Sequence, residues 1–527
     1  MKIQIKKYLS DLNTSQKEVV GLVLFLIVVM VITFRSSEEV EIKGIAEPDL
    51  LITPEAITPE SIIDLTELST DTLNDIWPPL SRPWTGDLDG MIERDRIRVL
   101  TPFSLGSYYI DHGHQRGTNY EFSRLLEKFI KKKFGKEAKE LKVIIIPVRR
   151  DQLIHYVVKG YGDIIMGSLT ITDSRKELID FATPVADKIK ELLVTGPASP
   201  EINSIDDLSG QEVAVSLQSS FYETLMKLNK TFKDENKPEI KITPVDPRLE
   251  REDILEMVNV GLLPMTVHDS HFLELWRKIY KDIVVHDDMP LKENSEIAMA
   301  MRKDSPQLKT ILDKFSHENR FGTLTTNVIY NRYIKDTKWV LSALEREPFL
   351  KLEELVLLFK KYGEKYNFDW VLLASFANQE SRFDQNAKSK AGAIGIMQVL
   401  PSTAADKSVG IKDISTPENN IHAGTKYLSV LRDTYFNDEQ LDDFERTLFT
   451  MAGYNAGPTR IRRLRKEAEN RGLDPNKWFK NVEYVAASKI GREPVEYVGN
   501  IFQHYVAYKR SLNEIEVRRQ VKQPSGQ

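Results

Sequence analysis

QESRFDQNAKSKAGAIGIMQVLPSTA, residues 379–404, is the stretch from which the reading of this chain starts. Leading into it, Leu373, Phe376 or Ala377, and Glu380 recur at i, i+3/i+4 spacing, which places a carboxylate on the apolar stripe of a helix. Desolvation on such a stripe would raise the carboxyl pKa toward the range of a general acid. Spacing alone leaves a second reading open, a solvated glutamate at a helix end. Gly392 and Gly395 are too little for a phosphate loop, because no lysine–serine/threonine pair follows and no strand precedes them. Small residues there permit tight turning beside a cleft.

Around this stretch, LVLLFKKYGEKY (355–366), DWVLLASFANQES (369–381), NNIHAGTKYLSVLRDTYF (419–436), ERTLFTMAGYN (445–455) and EYVGNIFQHYVAYKRSL (496–512) all have helical period. They predict an all-α domain over 350–515, followed by a tail, 516–527. The basic run Arg460, Arg462, Arg463, Arg465 and Lys466 reads as a solvated helix face, with an anionic wall polymer or membrane as the other reading.

The 379–404 stretch resembles the transglycosylase SLT domain, whose pattern E-S-x-F…S-x-A-G-A-x-G-L-M-Q-x-x-P-x-T-A is met nearly throughout, with Ile396 in place of the leucine. NNIHAGTKYL (419–428) and AGYNAGP (452–458) follow as further motifs of that family in the right order. EPVEYVGNI (493–501) stands where many such domains have E-T-R-x-Y-V; Glu493 and Tyr497 are kept, while Pro494 and Val495 depart. The resemblance implies a lysozyme-like fold with Glu380 catalytic. It also implies a glycan cleft lined by Ser389, Met397, Gln398, Tyr454, Asn455, Glu493 and Tyr497.

Before the helical region the texture differs. IRVL (97–100), KVIIIPV (142–148), DIIMG (163–167), EVAVS (212–216) and DIVVH (282–286) alternate with helical stretches at 120–133 and 219–228. This predicts an α/β domain over 91–335 with mainly parallel sheets, long enough for two lobes and a cleft. GDIIMGSLTITDSRKELIDFATP (162–184) resembles the family 3 extracellular solute-binding proteins, a two-lobed, periplasmic-binding-protein-like fold. GTNYEFSRLLEKF (117–129) and DLSGQEVAVSLQSSFYETL (207–225) follow that family's order. By this resemblance Arg175 pairs with a ligand α-carboxylate, which a guanidinium fork reads bidentately. Thr170 helps bind the same group, and Asp269 takes the ligand amine. Val185 departs from the family, where an aromatic residue usually follows the proline, so the ligand stays open between an amino acid and a muropeptide.

The order of the two domains, with RPWTGDLDGMIERDRIRVL (82–100) before them, is similar to the membrane-bound lytic murein transglycosylase F type. That resemblance implies non-hydrolytic cleavage of the MurNAc-β-1,4-GlcNAc bond of peptidoglycan. Glu380 would protonate the bridging oxygen, the substrate's N-acetyl group would stabilise the developing cation, and Glu380 would then deprotonate the C6 hydroxyl that closes a 1,6-anhydro ring. Two other readings remain: a tethered receptor whose helical domain only holds glycan, and a lysozyme-like hydrolase.

Composition bounds the rest. A length of 527 residues predicts three or four units at roughly 150 residues each. The formal charge of −5, from 73 basic against 78 acidic residues, gives no global field for nucleic acid. With no cysteine, a disulfide scaffold, a thiol nucleophile, a thiolate metal site and a cysteine-linked lipid anchor are excluded. Asp111, His112 and His114, and likewise His268, Asp269 and His271, lack the spacing of a metal site, and neither metal nor cofactor is expected.

Residues 19–34, VVGLVLFLIVVMVITF, carry no charge and would span about 24 Å as a helix, with Lys17 and Arg35 able to snorkel. They read as an uncleaved transmembrane signal anchor behind a cytoplasmic tail, 1–18, which places the remainder in the periplasm. The alternative, a cleaved signal with peripheral association at the outer membrane, lacks an A-x-A-like site. Residues 35–90, acidic and dotted with Pro48, Pro54, Pro59, Pro78, Pro79 and Pro83, read as a tether.

Overall fold

The computed structural model describes residues 82–111, 113–340 and 350–522. The expected cytoplasmic tail and anchor, most of the tether, and His112 lie outside the described residues. No described helix is long and apolar enough to cross a membrane.

The strands in chain order are β1 (Arg96–Thr101), β2 (Tyr109–Asp111), β3 (His114–Arg116), β4 (Lys142–Pro147), β5 (Ile164–Thr170), β6 (Ile179–Phe181), β7 (Ala186–Thr195), β8 (Glu212–Val215), β9 (Lys241–Pro244), β10 (Met265–Asp269) and β11 (Val284–Arg302). They order as β4-β1-β5-β11-β7-β10-β8-β9, with β6 also pairing β11 and β2-β3 a separate hairpin. Two parallel sets, β4-β1-β5 and β10-β8-β9, are the two lobes. The expectation of mainly parallel sheets is met inside the lobes and fails between them. There β7 and β11 run antiparallel to each other and to their neighbours β10 and β5. A chain that enters the second lobe and returns must cross twice in opposite directions, which sets that pairing. The first half of β11 is mostly exposed or half-buried and its register shifts repeatedly, so it has no clean alternation to read.

The parallel strands are buried on both faces, as their β-branched runs require: Val99, Val143, Ile164, Val213 and Val267 are all within the core. Residues 82–90, read above with the tether, are built into the first lobe. Asp87 caps the Leu88–Glu93 helix and also accepts from the backbone N–H groups of Gln307 and Leu308 at 2.9 Å each, capping the Pro306–Glu318 helix. Arg98, fully buried, donates to the carbonyls of Arg82 and Trp84 at 3.2 Å and pairs with Asp163 at 2.9 Å.

From Leu350 onward the described chain is helical apart from its connecting loops. Its principal helices are Leu350–Tyr366, Trp370–Ser381, Pro417–Tyr435, Asp443–Ala456, Pro458–Asn470 and Glu493–Lys522. The last continues to Lys522, beyond the boundary at 515 expected above. It packs on both the Trp370–Ser381 helix and β4, and buried Arg510 donates from Nε to the Pro147 carbonyl at 2.9 Å. The binding and helical domains therefore share a direct interface.

Candidate active site

Glu380 lies in the last turn of the Trp370–Ser381 helix, which starts on an Asp369 cap and buries every residue from Val371 to Asn378. The helix ends abruptly: Arg382 and Phe383 both have left-handed backbone, φ +58° and +64°. Non-glycine residues adopt that conformation at a cost of about 1–2 kcal/mol each. This turn leads the chain from Glu380 into the glycine-containing loop.

That loop is held by one side chain. Buried Asn420 accepts from the Met397 N–H at 2.8 Å and donates to the Ile394 carbonyl at 2.9 Å. A Cβ at Gly395 (φ +78°) would lie 2.3 Å from the Asn420 amide nitrogen. One turn along the same helix, a Cβ at Gly424 would lie 2.5 Å from that of Met397. The motifs 389–398 and 419–428 are thus two halves of one contact. Ser381 adds a hydroxyl hydrogen bond to the Ile396 carbonyl at 2.8 Å, joining the loop to the residue after Glu380.

The carboxyl of Glu380 accepts a hydrogen bond from Tyr497 Oη. Burial pushes its pKa up to about 7, and the Tyr497 bond works in the opposite direction. Phe376, one turn earlier, sits edge-on to Tyr454 and Tyr497, at ring separations of 4.8 and 6.2 Å. Tyr454 donates to the Met397 carbonyl at 2.8 Å. Burial holds both phenols well above their ordinary pKa, so they stay protonated donors. The arrangement can deliver a proton near neutral pH and take one back.

The expected cleft residues divide. Tyr454 and Tyr497 are gathered at Glu380. Met397 is fully buried beneath Gly424 and serves the loop from inside. Gln398, at φ +46°, donates to the carbonyls of Ala387 and Gly395 at 3.1 and 2.9 Å, bracing the loop. Ser389 closes a tight turn by accepting from the Ala393 N–H at 3.0 Å. Asn455 is half-buried, and Glu493 is exposed one helical turn before Tyr497. Asn420, Ser381 and Phe376 were given no part in the site by sequence reasoning, although all three stood inside quoted stretches.

Replacing Tyr497 by phenylalanine removes the bond that favours the carboxylate. Turnover is expected to fall about tenfold and the pH–rate profile to shift upward, because Glu380 then holds its proton to higher pH. An unshifted profile on purified sacculi would count against this pairing.

In the binding domain, Arg175 is buried and donates to the Thr170 carbonyl at 2.7 Å and the Gln218 carbonyl at 2.9 Å. Asp269, at the end of β10, is 3.4 Å from Arg251, yet neither carboxylate oxygen accepts a hydrogen bond. Burial raises its pKa despite Arg251, Arg150 and Arg175. The lobes meet through Arg150 and Glu250 at 2.9 Å and through Arg251 donating to the Ser168 carbonyl at 3.2 Å. Neither arginine was singled out from the sequence, where both sit in ordinary charged contexts. His268 is buried and His271 half-buried, and desolvation lowers both pKa values, that of His271 to about 3. Among the described residues no group of three or more potential ligands is arranged to hold a metal.

Comparisons with known proteins match both domains. Residues 357–477 match the transglycosylase SLT domain and residues 100–336 the bacterial extracellular solute-binding proteins, family 3. Membrane-bound lytic murein transglycosylase F of Desulfosudis oleivorans is 29% identical over 436 residues, covering 79% of this chain and 91% of that protein. The protein of the same name from Shewanella pealeana is 30% identical over 367 residues, covering 66% and 72%. That of Pseudomonas fluorescens is 27% identical over 441 residues, covering 79% and 85%. A transglycosylase SLT domain following a family 3 binding domain, with a match along most of the length of these relatives, places this chain in the membrane-bound lytic murein transglycosylase F family, as a lytic transglycosylase.

Proposed function

We propose that Glu380 alone carries the acid and base steps of peptidoglycan cleavage. A glycosidase that uses water ordinarily employs two carboxyl groups, an acid and a base or nucleophile. One carboxyl, poised near neutrality and held by Tyr497, supports a reaction in which the same group acts twice. Protonated Glu380 gives its proton to the oxygen between MurNAc and GlcNAc, and that bond breaks. The substrate's own N-acetyl group stabilises the charge at the anomeric carbon. The resulting carboxylate removes the proton of the MurNAc C6 hydroxyl, whose oxygen closes the 1,6-anhydro ring, and Glu380 regains its starting state. Mass analysis of digested sacculi tests this; free reducing ends without the anhydro ring would show a hydrolase instead.

The regulatory reading rests on the buried carboxylate of Asp269, which pairs with Arg251 at 3.4 Å, accepts no hydrogen bond and feels the charges of Arg150 and Arg175 as well. An amino-acid-like end of a muropeptide, carrying both an amine and a carboxylate, fits that charge pattern, with Arg175 and Thr170 as its carboxylate side. Arg175→Ala is expected to remove any response of turnover to added wall peptides while basal turnover persists. The same response in both proteins would end this reading.

Membrane attachment through residues 19–34 and action in the periplasm complete the proposal. Removing residues 1–34 behind a cleavable export signal is expected to move the protein from the alkali-resistant membrane fraction to the soluble fraction. Unchanged retention would point to another attachment.

A further inference from the structure

A cavity of about 330 Å³ lies between the binding domain and the helical domain, away from both sites described above. On one side are Arg96, Lys142 and Ile144, from β1 and the edge strand β4; on the other are Phe479, Gly499 and Phe502. Its volume is at the lower end of the range for small-molecule pockets. The two phenylalanines pack edge-on at 5.6 Å and supply an apolar wall.

Two observations indicate what fills it. Gly499 occupies the interior of the Glu493–Lys522 helix, where glycine is less stable than alanine, yet a Cβ there would meet nothing within 4 Å. No packing contact demands glycine, and its effect is to leave the cavity open. The second observation is charge. Most ionised groups around the rim already have partners: Arg94 with Asp163, Arg96 with the Arg94 carbonyl, Glu140 and Glu496 with Arg492, Asp95 with the Tyr484 hydroxyl, and Lys480 with the Glu93 carbonyl. Glu483 accepts from the Lys480 N–H and is raised to about 7 by burial. Lys142 remains, half-buried, with no side-chain hydrogen bond or ion pair to the described residues, and burial lowers its pKa.

We propose that this interdomain cavity binds a monoanionic amphiphile, its apolar body against Phe479 and Phe502 over Gly499 and its anionic group on Lys142. An occupant would touch the edge strand of the binding domain and the helix that carries Tyr497.

The test is calorimetric titration of the full chain in detergent with naphthoate and with its uncharged analogue naphthamide, against matching micelle blanks. Naphthoate is expected to bind one site. Gly499→Leu should weaken it at least about tenfold, and Lys142→Met should weaken naphthoate about tenfold while leaving naphthamide unchanged. Gly499→Ala adds a methyl to open space, so it should keep the fold and lose about threefold; if Gly499→Leu does not fold, this variant decides. Absence of naphthoate binding overturns the proposal, as does wild-type affinity in the folded Gly499 variants or equal loss of both probes in Lys142→Met. Arg175→Ala is expected to bind naphthoate normally; loss of binding there would assign the probe to the interlobe cleft and also overturn the proposal.

Discussion

Replacing Glu380 by glutamine is expected to lower murein turnover by about a thousandfold, within the range for loss of a group that donates and accepts the proton. The amide cannot protonate the leaving oxygen or take the C6 proton. The same change should stabilise the fold in a pH-dependent way. Glu380 is raised from 4.5 to about 7 in the folded protein, so its favourable contribution is complete below pH 4.5. It is lost as pH rises through 7, because the buried carboxylate must then ionise. That loss is at most roughly 3 kcal/mol for a half-buried group. Glu380→Gln should therefore melt close to wild type at pH 4 and above it at pH 8. An equal difference at both pH values would contradict a desolvated Glu380. Stability given up at a functional group is a common trade in enzymes.

Gly395→Ala is expected to have the second largest effect. The new methyl would meet the Asn420 amide nitrogen at 2.3 Å, and the residue would remain at φ +78°. Asn420 cannot retreat without releasing the Met397 N–H and Ile394 carbonyl it now satisfies. Buried groups left unpaired cost about 1–3 kcal/mol each, so a total loss of about 3 kcal/mol or more is expected. Turnover should fall at least about tenfold, since the displaced Met397 carbonyl is the acceptor for Tyr454. Gly392→Ala is the control. Its φ is +88° but a Cβ there meets nothing within 4 Å, so only backbone strain of about 1 kcal/mol applies. Urea unfolding of both variants separates the two costs; similar losses would show that Asn420 does not hold the loop.

The chemistry of the helical domain was legible because it is written locally. Leu373, Phe376 and Glu380 share one helix face, so periodicity could place a carboxylate against an apolar stripe before any neighbour was known. The glycines of 389–398 likewise announced a tight loop. Their partners were not legible: Asn420 lies 23 residues beyond Met397, and Tyr497 117 residues beyond Glu380. Helical spacing assigns a face and says nothing about which distant side chain fills it. The same limit explains β11, where a half-exposed strand with a shifting register offers no alternation to follow. It also explains residues 82–90, whose single proline and two aspartates resemble a tether until Asp87 is seen capping two helices.

Local pattern and motif order were enough to define two kinds of domain and their sequence along the chain, and to put forward Glu380 as the candidate acid, because helix period, strand alternation and turn-forming glycines act over a few residues. Absence of cysteine likewise needed no coordinates to exclude thiol chemistry and cysteine-linked lipid attachment. The degree to which Glu380 is desolvated, the hydroxyl that holds it, the bracing role of Gln398, the arginines that bridge the lobes and the cavity beside Gly499 were decided by the tertiary structure alone. Each depends on burial and on contacts between segments far apart in the chain, and electrostatic and packing energies are set by those distances rather than by position along the sequence.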